Sequence, residues 1–234
     1  FWSEKLGVAA EDLKDVPDGR GVTDLIRAKT MKQGGAGYVQ PGSGSFPKMA
    51  KMNEFVLQCG ALPTMTWLDG CSAGEEAIEE LLEVARSTGV VVFNIIPDRN
   101  YTPGTKDQKL ANLQKVVEIC KDLNMPLLGG TEMNSPGQKF VDDFDSDELK
   151  PMHPYFLEGS RILHAHSTLQ RLAGMGYLSP WSDDQFASVA AKNEFYARFG
   201  EIFSPRGDEA LQNDLTDSLG SREVISLAER VMSA

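Results

Sequence analysis

Three features of the chain predict an α/β fold built on parallel strands. Apolar runs alternate with amphipathic helical segments, the connections between them are short, and the clearest runs are nearly continuous rather than alternating, as in strands covered on both faces. Five such runs precede a stretch that reads as helical throughout. The expectation is a parallel β/α barrel-like architecture, incomplete at its N-terminus, over residues 1–180, with a helical C-terminal extension over 181–234; an open doubly wound sheet is the other arrangement this pattern allows.

Each element has a local reason. Thr23 is positioned to cap a helix over 23–33, stopped by Gly34-Gly35-Ala36-Gly37. A short strand is expected over 36–40, around Tyr38-Val39, before the loop Pro41-Gly42-Ser43-Gly44-Ser45. Residues 48–58 have helical spacing, with Met49, Met52, Phe55 and Val56 apolar and the methionines assigned to the core. The run 62–68 lies between Gly60 and Asp69-Gly70 and reads as a buried strand. Residues 75–87 form an amphipathic helix with Ile78, Leu81, Leu82 and Ala85 on one face and Gly89 as its stop. The clearest strand is 90–96, β-branched and closed by Pro97-Asp98. A helix over 107–123, a strand over 126–132, a helix over 146–157, a strand over 161–166 and a helix over 168–174 follow. Helices over 183–203, 208–219 and 221–233 complete the chain.

The chain has 234 residues, 41% hydrophobic and 24% charged, which is ordinary for a globular protein with a sizeable core. With 34 acidic against 23 basic residues its net charge is −11, which disfavours phosphate backbones, so no nucleic-acid partner is expected. No apolar run approaches the roughly 20 residues of a membrane span. Cys59, Cys71 and Cys120 show no CxxC spacing, and an odd number of cysteines points to a reducing, cytoplasmic setting. Asn100-Tyr101-Thr102 matches a glycosylation acceptor, read here as chance. The chain begins Phe1-Trp2 without Met and reads as a piece of a longer protein. Neither glycine-rich stretch fits a phosphate-loop pattern, so both are read as turns.

Polar residues gather where strands are expected to end, the edge at which parallel α/β folds bind ligands. Asp69 follows the run 62–68. Asp98, Arg99 and Asn100 follow the run 90–96. Glu132 and Asn134 follow the strand that starts at Pro126, and His164 and His166 close the run 161–166. On a strand, residues two apart share a face, so His164 and His166 could chelate together. With Glu132 and Asp69 supplying oxygen, this is a candidate divalent metal set suited to Mn, Zn or Fe. Asp98 is the candidate metal ligand or catalytic base. Arg99 is the second catalytic candidate and, with Asn100 and Asn134, the candidate contact for an anionic small-molecule substrate. His153, before Pro154, is expected on a helix surface.

The order of several segments resembles the PHP metal-dependent phosphoesterases: Val22-Thr23 opening a helix, Lys32 through Val39, Gly60 through Gly70, and Leu123 through Asn134. The resemblance covers about residues 20–140. It implies a distorted β/α barrel with divalent metals at the carboxyl ends of the strands. The chain departs from that pattern: Trp67 lies near the position of the family's Ala-His-Pro histidine, and Glu132-x-Asn134 stands where the family has Asp-x-His. The functional expectation is a metal-dependent hydrolase with a degenerate site, a phosphoesterase being the type the resemblance implies. The alternatives are a catalytically inactive small-molecule or partner-binding module and a barrel sugar isomerase or lyase.

Overall fold

A computed structural model describes residues 1–14, 18–97, 100, 106–131 and 140–233. The chain divides into two compact units, Phe1–Lys48 and Met49–Ala234. The first holds three helices, α1 (Trp2–Leu6), α2 (Ala10–Lys14) and α3 (Asp18–Thr30). Helix α3 starts five residues before the expected cap, so Thr23 is interior. Gly19 and Gly21 conceal its first turns in the sequence, because glycine costs about 1 kcal/mol in a helix. The glycine-rich stretch that follows folds back on the helix end, where Gly35 N–H donates to Lys32 O and Gly37 N–H to Thr30 O, each at 2.8 Å. The expected strand at Tyr38-Val39 does not form: it has no pairing partner and Val39 is exposed.

The second unit contains α4 (Met49–Gln58), β1 (Thr64–Trp67), α5 (Ala73–Glu76), α6 (Ile78–Ser87), β2 (Val92–Ile95), α7 (Lys106–Asp122) and β3 (Leu127–Gly129). There follow α8 (His153–Ala173), α9 (Pro180–Gln185), α10 (Val189–Ile202), α11 (Asp208–Asp214) and α12 (Ser221–Ser233). The strands form one parallel sheet in the order β1-β2-β3. Thr64 pairs with Val92 and Trp67 with Ile95, and Phe93 pairs with Leu127. Alternation along the strands divides the core. Trp67, Phe93, Ile95 and Leu127 pack with Ile78 and Leu82 of α6 and Leu113, Val116, Val117 and Cys120 of α7. Val92 faces the other way, into a layer made by Ile162, Ala165 and Leu169 of α8 with residues of α10, α11 and α12.

This architecture corrects the barrel expectation. The sheet is small and open, most of the chain is helical, and among the described residues no fourth strand extends the sheet. The element expected as a strand over 161–166 lies inside α8, as does the helix expected over 168–174. The helix expected over 146–157 is turns until α8 begins at His153. Burial along α8, at Phe156, Gly159, Ile162, Ala165, His166 and Leu169, follows helical rather than strand periodicity. Gly159 serves close approach. A Cβ there would stand 1.8 Å from the Leu127 carbonyl oxygen, and one at Gly200 of α10 would stand 2.1 Å from the Arg161 carbonyl oxygen. Glycine at both positions lets α8 lie directly against β3 on one side and α10 on the other.

Helix α4 forms as expected, but its apolar residues do not face the core. Met49, Met52 and Phe55 are 40%, 41% and 58% exposed, while Asn53 is buried and donates to Thr88 O at 2.8 Å. The expected helix over 183–203 is broken at Phe186, and α10 restarts behind Ser188, whose side chain accepts from Ala191 N–H.

Replacing Gly159 with Ala should destabilise the protein by about 3 kcal/mol, the upper range for overpacking. Replacing Gly74 in α5, which has open space around it, should leave stability unchanged or raise it by about 0.5 kcal/mol. Denaturant unfolding of both variants checks the contrast; equal midpoints would show that α8 does not lie against β3.

Candidate functional site

Because the three strands are parallel and adjacent, the chain leaves each of them at the same edge of the sheet. The described part of that edge is built around the turn after β1. Gly70 adopts φ +73°, and a Cβ there would lie 2.8 Å from Asn112 Nδ2 and 3.0 Å from the Trp67 ring. The turn is thus tight and closely covered by α7. Asn112 Nδ2 donates to the Asp69 and Gly70 carbonyls at 3.1 and 3.3 Å. Lys109, one helical turn earlier, places Nζ 2.8 Å from Asp69 Oδ2, and the Cys71 N–H donates to Asp69 Oδ1 at 3.1 Å. Leu113, Val116 and Val117 anchor α7 in the core, which fixes where Lys109 and Asn112 stand.

Partial burial pushes the Asp69 carboxyl up, but hydrogen bonds from Lys109 and Cys71 N–H, with the Lys109 charge, outweigh it and hold the group below its ordinary range. Asp69 is therefore ionised at neutral pH and paired with an ammonium that is only 12% exposed. Asn100, fully buried, reaches the same segment. Its Nδ2 donates to the Leu68 carbonyl at 3.2 Å and lies 3.3 Å from Ile96 O, which orients the amide. Among the described residues its Oδ1 has no hydrogen-bond partner, and neither has the buried indole Nε1 of Trp67. A buried donor and a buried acceptor thus both lack partners among the described residues next to this turn.

Of the residues singled out in the sequence, Asp69 and Asn100 come together here. Asp98, Arg99, Glu132 and Asn134 lie outside the described residues. The two histidines are on a helix, not a strand, and two positions apart on a helix is about 200° around its axis, so they share no face. His164 Nε2 donates to Phe203 O at 3.1 Å. His166 is buried, with Nε2 3.1 Å from Gly60 O, and its Nδ1 accepts from Tyr177 N–H at 3.0 Å. Those two bonds select the neutral Nε2–H tautomer and occupy both ring nitrogens. Gly60 precedes β1, so His166 stands at the opposite end of the strand from Asp69.

Among the described residues no three His, Cys, Asp or Glu side chains are grouped so as to hold a metal ion. Asp69 is committed to Lys109 and Cys71, and His166 to two backbone groups. The described residues do not fit the expected divalent metal. Lys109 and Asn112 are the site residues that sequence reasoning missed; they sit on the polar side of a helix and carry no signal beyond that.

Cys59, Cys71 and Cys120 are free thiols, and burial pushes Cys120 up to about 12. Among the described residues no helix is long and apolar enough to cross a membrane. No protein-family model matches the chain, and neither a curated protein nor a solved structure matches it.

Burial holds the His166 pKa below its ordinary value, and the bond to Gly60 O only partly offsets this. An imidazole whose folded pKa is depressed contributes stability that is complete above its unfolded value of about 6.5 and lost as pH falls through the folded pKa. Protonation also places a second N–H opposite that of Tyr177. Thermal unfolding should therefore show a larger loss of Tm between about pH 7 and about pH 5 in the wild type than in His166→Asn, whose side-chain oxygen can still accept from Tyr177. Equal losses would remove His166 from the pH response.

Proposed function

We propose that the chain binds a small anionic molecule at the carboxyl edge of its sheet, around the turn Trp67–Cys71. One observation carries this reading: among the described residues Trp67 Nε1 and Asn100 Oδ1 are buried without partners, on residues that adjoin the turn holding the Asp69–Lys109 pair. Leaving such a group unsatisfied costs about 1–3 kcal/mol, and folded proteins tolerate few of them. The position of these two at the edge where parallel sheets bind ligands supports a polar occupant that supplies both an acceptor and a donor. Lys109 supplies the positive charge for an anion. Three free thiols support a reducing, cytoplasmic setting.

A metal-dependent hydrolase of phosphoesterase chemistry is the second reading. The parallel strand order favours it, because the segments bearing Asp69, Asp98 and Glu132 follow three adjacent strands in sequence. It assigns the metal to Glu132 with Asp69, which would have to leave Lys109 and Cys71 to coordinate it, the base to Asp98 and the anion to Arg99 and Asn134. It derives no support from His164 or His166.

Calorimetric titration of the full chain with inorganic phosphate tests the first reading. Lys109→Met should weaken binding about tenfold. Asp69→Asn should strengthen it, because a competing carboxylate is removed while an oxygen remains to accept from Cys71 N–H. Equal affinity in all three proteins, or no saturable binding, overturns the assignment. Mn-dependent hydrolysis of p-nitrophenyl phosphate that disappears in Glu132→Gln would instead establish the second reading.

A further inference from the structure

At the opposite end of the sheet, a cavity of about 150 Å³ opens between the amino ends of β2 and β3 and helix α10. Its walls include Val91, Met125 and Tyr177. The charged residues lining it are Arg86 and Lys192, both cations, in a chain of net charge −11. Lys192 is 9% exposed, an unusual setting for an ammonium group. Asp183 accepts from its Nζ at 2.8 Å, and the Tyr177 ring centroid lies 5.2 Å away. Arg86, just before the end of α6, is exposed, and its guanidinium makes no hydrogen bond or ion pair among the described residues.

We propose that this cavity binds a small monocarboxylate with a short apolar body. Three observations select that class. The Asp183 carboxylate offsets the Lys192 charge, so the group formed by Arg86, Lys192 and Asp183 carries one net positive charge and matches a monoanion better than a phosphate dianion. The Arg86 guanidinium retains its full planar set of donors, whose spacing suits the two oxygens of a carboxylate. Val91, Met125 and the Tyr177 ring offer an apolar surface to a body of a few carbons, and the cavity volume limits that body's size. The residues involved are separate from the turn after β1, so the inference stands independently of the function proposed for that edge.

Amide NMR titration of the full chain with butyrate provides the test. Saturable shifts are expected at Val91, Met125 and Tyr177. Affinity should fall about tenfold in Arg86→Met and by a similar factor in Lys192→Met. Arg86 is exposed and Asp183 is largely solvated, so neither variant leaves a buried unpaired charge. Butanol, which has the body without the charge, should bind about tenfold more weakly than butyrate. Absence of saturable shifts, unchanged affinity in Arg86→Met, equal binding of butanol, or tighter binding of inorganic phosphate than of butyrate would each overturn the proposal.

Discussion

The arrangement depends on how closely α8 lies against its neighbours. At Gly159 it meets the Leu127 carbonyl of β3, and at its Arg161 carbonyl it meets Gly200 of α10, with no room for a Cβ at either glycine. Close approach on both sides makes α8 the middle element of one core layer. Ile162, Ala165 and Leu169 can then bury Val92, while Phe93 and Ile95 remain available to α6 and α7. Strand β2 is consequently covered on both faces, as parallel sheets require.

The same placement decides where chemistry can occur. With His166 bonded to Gly60 and Tyr177, and His164 to Phe203, the histidines tie α8 to segments away from the carboxyl edge. In the described structure that edge is left to the β1 turn and to α7, whose Lys109 and Asn112 hold Asp69 and its neighbouring backbone. The charge chemistry there is a carboxylate–ammonium pair next to two unsatisfied polar atoms. This suits recognition of a polar ligand more directly than metal coordination. The cavity at the amino ends of β2 and β3 has different chemistry, with two cations set among apolar walls.

Parts of this were legible in the sequence for definite reasons. The three apolar runs bounded by glycine, proline or aspartate became β1, β2 and β3, because a buried parallel strand needs an apolar run and turn residues to end it. Asp69 and Asn100 were legible as polar residues following such runs. The run Arg161–His166 was misleading because a short apolar segment does not distinguish helix from strand. What fixes it as helix is the contact of Gly159 with β3, a long-range fact. Helix α4 had the right periodicity and the wrong orientation, because Asn53 finds its partner 35 residues away at Thr88. Lys109 and Asn112 were indistinguishable from an ordinary solvated helix face until the β1 turn was seen to lie against them.

The most direct measurement is the set of nuclear Overhauser contacts of Gly159 in solution. Strong contacts should join its α-protons to the backbone of Leu127, together with cross-strand contacts placing Phe93 parallel to Leu127. Absence of the Gly159–Leu127 contact, or an antiparallel pattern between β2 and β3, would contradict both the packing of α8 on the sheet and the edge on which the proposed site is built.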